Sequence, residues 1–183
     1  SEETLRGLAD IVLRHDLMVI SDEVYERLIY DGAQHISIAS LPGMKEHTFT
    51  MNGMSKAYSM TGWRLGYVAA PEEYIPVLNK FHQHNTTCAV SFGQAAAVVA
   101  LRDEKDEVND MVKEYQRRRD YAVDAINAID GISCLKPKGA FYIFINCKHL
   151  GMKSAQLADY LLENAKIALV PGDVFGPGGE GYL

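Results

Sequence analysis

Between Thr4 and His15 the apolar residues Leu5, Leu8, Ile11 and Val12 recur at helical intervals behind Ser1 and two glutamates, which predicts an amphipathic helix. The continuous apolar run Leu17-Met18-Val19-Ile20 follows at once and predicts a buried strand. From Asp31 to Lys45 the pattern breaks into Gly, Pro, Ser and His, the composition of a loop. Strands are expected over Thr48 to Asn52 and Leu65 to Ala69, bracketing a turn-rich segment, and Pro71-Glu72-Glu73 opens a helix. Ser91 to Leu101 reads as a helix in which Ala95 to Ala97 permit close packing. Asp106 to Ile129 reads as a long charged helix with Val108, Met111, Val112, Tyr115, Ala122 and Ile126 among its apolar positions. Beyond it come a strand at Ile132 to Leu135, a turn at Lys136-Pro137-Lys138-Gly139, a strand at Phe141 to Asn146, a helix at Ser154 to Ala165 and a strand at Ile167 to Val170. The change of character near residue 102 sets the expected domain border. Residues 1–102 form an α/β unit with a mostly parallel sheet, and 103–183 a small α+β unit.

Composition narrows the class without naming a function. The 183 residues are 48% hydrophobic and 23% charged, ordinary for a globular protein and incompatible with disorder. The net charge is −6, and the one basic cluster, Arg117-Arg118-Arg119, lies in an acid-interleaved helix and reads as a solvated face. Nucleic acid and anionic membrane are therefore not the expected partners. No apolar run approaches the ~20 residues of a membrane span, and no basic-then-apolar leader opens the chain, so a cytoplasmic setting is expected. Cys88, Cys134 and Cys147 are odd in number and irregular in spacing, which suggests reduced thiols and neither a disulfide framework nor a zinc site. His82 and His84 would share one face of a strand, yet no further ligand follows at metal spacing, and no metal is expected. Gly176, Gly178 and Gly181 spell G-x-G-x-x-G, but no helix is expected to open there, as a dinucleotide fingerprint requires.

The chemistry concentrates in Ser55-Lys56-Ala57-Tyr58-Ser59-Met60-Thr61-Gly62-Trp63-Arg64-Leu65-Gly66-Tyr67. This string sets a lysine in a short turn-rich segment with a hydroxyl beside it and an arginine eight residues on. A lysine amine can form a Schiff base with an aldehyde, and a guanidinium grips a phosphate through two parallel hydrogen bonds. A solvated Lys and Arg flanking a turn is the plain alternative. Upstream, Ser21-Asp22-Glu23-Val24-Tyr25 ends the first strand, where ligands of open parallel sheets gather. A carboxylate there can keep a pyridine nitrogen protonated, and a phenol three residues later can bond a ring oxygen; a turn or helix-start signal is the alternative.

The lysine string, led by Asn52-Gly53-Met54, and the Ser-Asp-Glu-Val-Tyr string, in this order and spacing, resemble the class I/II pyridoxal-phosphate aminotransferases, the aspartate aminotransferase family of fold type I. The resemblance implies that Lys56 is the catalytic lysine that binds pyridoxal 5'-phosphate covalently. It implies that Asp22 pairs with the cofactor's ring nitrogen, Tyr25 with its ring hydroxyl, and Ser55 and Arg64 with its phosphate. It further implies residues 1–102 as part of the cofactor-binding large domain and 103–183 as a small domain, together the C-terminal portion of the family's chain. The family's glycine-containing phosphate loop, its ring-stacking aromatic and its substrate-carboxylate arginine have no counterpart in the sequence. The expected activity is transamination between an amino acid and a 2-oxo acid in a homodimer. A β-eliminating lyase of the same fold, or a non-catalytic fragment, fits the same motifs. Amino-acid preference is not legible from them.

Overall fold

The computed structural model describes residues 1–102 and 106–183. Its contacts divide these into two compact units, Ser1–Val112 and Lys113–Leu183. The units meet inside a long helix, ten residues beyond the border expected at residue 102; the expected start of the second domain at 103 lies outside the described residues.

The first unit opens with α1 (Glu2–Arg14), capped by the Ser1 hydroxyl accepting from the Thr4 N–H at 3.3 Å. Glu2 and Glu3 in its first turn and Arg14 in its last complement the helix dipole. Ala9 and Val12 are the residues it buries, against Ile38, Leu41 and Met44 of the following loop. Full burial of a side chain such as Met44 contributes roughly 1.5–3 kcal/mol. Leu8 and Ile11, expected on the buried face, are both 47% exposed, because the loop covers a narrower stripe than the periodicity suggests.

The sheet runs β1 (Val19–Asp22), β2 (Thr48–Gly53), β3 (Gly66–Ala69) in that spatial order, β1 parallel to β2 and β2 antiparallel to β3. Parallel pairing is thus one of two contacts, not the majority expected. Among the described residues β1 pairs with β2 alone, and alternation sends Val19 towards the α1 cluster and Ile20 to the opposite face, where it is 73% exposed. The strand expected to be buried is therefore covered on one face.

Antiparallel pairing brings Gly53 opposite Gly66, and the Met54 N–H donates to the Leu65 carbonyl at 3.1 Å. Residues 54–65 are thereby closed into a loop whose ends touch. A Cβ on Gly53 would stand 3.0 Å from the Leu65 oxygen, a tight contact with a backbone atom that glycine avoids. Helices α2 (Ile75–Asn85) and α3 (Ser91–Arg102) follow, α3 laying Gly93 against the Leu65 side chain. His82 and His84 lie in α2, where residues two apart point in different directions, and not on a strand as expected.

Helix α4 (Asp106–Asn127) runs into the second unit. There β4 (Ser133–Cys134) pairs antiparallel with β5 (Ile145–Asn146), and α5 (Ser154–Ala165) packs Leu157 and Ala158 with Cys147 and Leu183 into a core. The strand expected over 141–146 shrinks to its last two residues, and the strand expected over 167–170 is not formed. Arg117 and Arg118 are solvated, both bonded to Glu114, whose pKa they pull down to about 2. Arg119 departs from the expected solvated face: one residue further around the helix it turns inward, is buried, and donates to the Pro137 carbonyl at 2.8 Å. Two glycines of the tail, Gly172 and Gly179, serve close backbone packing. Gly172 donates its N–H to Tyr182, and a Cβ on Gly179 would overlap the Gly172 carbonyl. No helix among the described residues is long and apolar enough to cross a membrane, and all three cysteines are free thiols.

Candidate active site

Asp22 is the last residue of β1 and keeps its side chain exposed at the strand's C-terminal edge, its Oδ1 accepting the Val24 N–H at 3.2 Å. The chain then turns over residues 23–28, where the Glu26 N–H donates to the Glu23 carbonyl and the Leu28 N–H to the Tyr25 carbonyl, each at 2.9 Å. Leu28 and Tyr30, at 0% and 1% exposure, root this turn in the protein. Tyr25 is thereby held half-buried, with the Lys56 Nζ 5.8 Å from its ring centroid.

The loop opposite is fixed by Met54, Ala57 and Leu65, all buried, while Ser55 and Lys56 between them stay half-exposed. The chain leaves through a 3₁₀ turn at Thr61–Trp63 and then Arg64, a non-glycine residue at φ 54°. That left-handed conformation is sparsely populated for such a side chain and is imposed by the closure at Leu65. The Arg64 Nη1 donates to the Thr61 carbonyl at 2.9 Å.

These two segments face each other across a cleft of about 530 Å³ lined by Asp22, Asn52, Ser55, Lys56, Thr61 and Arg64 among others. Four of the five residues singled out from the sequence line it, and the fifth, Tyr25, adjoins it through Lys56. Asn52 and Thr61 carry no assigned role from sequence reasoning; Thr61 lies inside the lysine string, so its position between Lys56 and Arg64 was its one signal. At the mouth of the turn, Tyr67 on β3 has its pKa raised by burial first and by the carboxylate of Glu26 second. A primary amine, a guanidinium with a neighbouring hydroxyl and a carboxylate thus line one cleft, with a phenol ring beside the amine. This set fits, group for group, the aldehyde, phosphate, ring nitrogen and ring hydroxyl of a phosphorylated pyridine aldehyde.

Among the described residues one group of side chains stands at metal-ligand spacing: Glu23, Glu26 and His35, with ligand atoms within 4.8 Å of one another. Both Glu23 oxygens already accept hydrogen bonds from protein donors. Sequence reasoning did not find this group, because His35 enters from a loop twelve residues away.

Residues 1–182 match the family described as Aminotransferase class I and II. The chain is 48% identical to the aromatic-amino-acid aminotransferase 2 of Thermococcus litoralis and 51% identical to an aspartate aminotransferase of Pyrococcus abyssi. Each alignment covers 100% of this chain and 47% of the relative. A crystal structure of an aromatic aminotransferase from Pyrococcus horikoshii OT3 superposes with a TM-score of 0.96 at 50% identity, over 100% of this chain and 49% of that one. The chain therefore spans about half the length of the relatives it matches.

Proposed function

The chain belongs to the class I and II aminotransferases, and from that premise we propose that it carries the pyridoxal-phosphate half-site of an enzyme that moves an amino group between an amino acid and a 2-oxo acid. The observation that carries this reading is the single cleft gathering Asp22, Ser55, Lys56 and Arg64, with the Tyr25 ring beside the amine. Pyridoxal phosphate, when bound, supplies an aldehyde carbon to which amines attach and a ring that accepts electrons. Lys56 holds the cofactor through that carbon. Asp22 keeps the ring nitrogen protonated, Tyr25 donates to the ring oxygen, and Ser55 and Arg64 bind the phosphate. With a substrate amino acid held by the cofactor, the Lys56 Nζ would be the base placed to remove the proton from the substrate α-carbon, a transfer typically worth ~10²–10⁴-fold in rate.

A homodimer in the cytoplasm belongs to the same reading, supported by the family and by the apolar residues left exposed, Ile20, Phe81 and Phe92 among them. The substrate class is kept at amino acids, since relatives named for aromatic amino acids and for aspartate are almost equally similar.

The test is to mix the chain with pyridoxal phosphate, reduce with borohydride and map the modified peptide by mass spectrometry beside a Lys56→Ala control. A single near-stoichiometric adduct on Lys56, absent in the control, is expected. Scattered labelling of surface lysines, unchanged by the substitution, overturns the reading.

A further inference from the structure

Glu23 is the one buried carboxylate among the described residues, 6% exposed, and it stands between the two residues assigned to the cofactor ring. It stands one residue past β1, still bonded to β2 through its N–H, and its side chain is buried where that of Asp22 is exposed. There Oε1 accepts from the Ser21 hydroxyl at 3.0 Å and from the Ser37 hydroxyl at 2.7 Å, and Oε2 pairs with His35 Nε2 at 2.8 Å. Its backbone is engaged as well: the N–H donates to the Met51 carbonyl of β2 at 2.8 Å, and its carbonyl accepts the Glu26 N–H. One residue is thus tied to β1, to β2, to the loop at 35–37 and to the turn that bears Tyr25.

That concentration of bonds is more than packing requires. An ionised carboxylate taken out of water costs several kcal/mol unless its oxygens are satisfied, and an apolar residue would fill the same space at lower cost. What a multiply bonded carboxylate adds is a fixed register. The Ser37 and His35 bonds reach a loop that continues into Ile38, itself in the core with α1. The turn after Asp22 is therefore anchored to the body of the unit from the side away from the cleft. Glu26 also approaches, but the Glu23 oxygens are already taken by protein donors, which is the arrangement of a clamp.

We infer that Glu23 is a positioning residue, holding Asp22 and Tyr25 at the spacing at which both meet the cofactor ring while touching nothing in the cleft itself. This rests on the reading of the cleft given above. Removing the clamp leaves every cofactor ligand in place and loosens two of them, so binding weakens without loss of the Lys56 attachment.

The experiment compares the wild-type chain with Glu23→Gln, Ser37→Ala, Asp22→Asn and the Asp22→Asn/Glu23→Gln double variant, using pyridoxal phosphate as the probe. Expected for Glu23→Gln are an unchanged reduced adduct on Lys56, a cofactor Kd weakened about two- to tenfold, and a pH midpoint of the bound cofactor's absorbance displaced in the direction that Asp22→Asn displaces it. Ser37→Ala gives a smaller change of the same kind. In the double variant Glu23→Gln adds less than it does alone, because the part of its effect that runs through Asp22 is already lost. Hydrogen exchange needs no cofactor: Glu23→Gln speeds exchange at the Glu26 and Leu28 amides and leaves the β1–β2 ladder unaltered. Unchanged exchange at those amides overturns the inference, as does additivity in the double variant or a lower Tm with cofactor affinity and absorbance unmoved. Loss of the Lys56 adduct in the wild-type chain overturns instead the reading of the cleft.

Discussion

Lys56 Nζ stands 5.8 Å from the centroid of the Tyr25 ring, so the proposed attachment point and the proposed partner of the ring hydroxyl are neighbours, although 31 positions separate them in the sequence. Tyr25→Phe keeps the ring face beside the amine and removes the phenol oxygen. The adduct is expected to form on Lys56 as before, with cofactor affinity about two- to tenfold weaker, the worth of one net hydrogen bond of ~0.5–1.5 kcal/mol. Spectroscopic titration with pyridoxal phosphate checks it, and an unchanged Kd removes Tyr25 from the site.

Gly53 stands at the closure of the lysine loop. In Gly53→Ala the new Cβ meets the Leu65 carbonyl oxygen at 3.0 Å, a backbone atom that cannot swing aside as a side-chain tip can. Destabilisation of about 1–3 kcal/mol is expected, the usual range for forcing an extra methyl into packed structure. Because the same contact pins Met54 to Leu65, labelling of Lys56 by cofactor and borohydride should fall along with the urea midpoint. Gly62→Ala, where nothing stands within 4 Å of the added Cβ, serves as the tolerated comparison.

Arg119 is the buried member of the arginine triplet and donates through Nη1 to Pro137 and through Nε to Asp120. Arg119→Met retains much of the stem and leaves the Pro137 carbonyl without this donor. A loss of about 1–3 kcal/mol is expected from the unsatisfied acceptor, read as a lower urea midpoint at unchanged m-value. Arg117→Met and Arg118→Met, on the solvated side, should leave the midpoint almost where it was.

Glu180 gives the second unit a pH dependence with a definite sign. Its carboxylate accepts the Ser154 N–H at 2.8 Å at the start of α5 and the N–H of Gly181, and these bonds lower its pKa. A carboxyl with a folded pKa below its unfolded one stabilises the fold above the unfolded value, and that contribution is lost as pH falls through the folded value. Thermal melts of the wild type and Glu180→Gln should differ at neutral pH, with the wild type higher. They should converge as pH drops below the ordinary glutamate value of 4.5. A difference that persists in strong acid assigns the effect to packing.

The site motifs were legible in the sequence because they are local. Ser55, Lys56 and Arg64 lie within ten consecutive residues, and Asp22 and Tyr25 within four, so their chemistry and order can be read without knowing how the segments meet. Helices α1, α3 and α5 were equally legible, since a 3.6-residue period and end signals are properties of the segment alone. What required the tertiary structure were relations between segments. The antiparallel approach of β3 closes the lysine loop, Arg119 turns inward while its neighbours do not, and residues 167–170 form no strand. Glu23 is the clearest case: in the sequence it is one more acidic residue after a strand. Only when a loop from twelve residues downstream brings His35 and Ser37 to its buried side does it acquire a task. Sequence fixes which groups are available and the local conformation that presents them; burial and hydrogen-bond partnership are decided by which distant segments pack together, and no single segment carries that information.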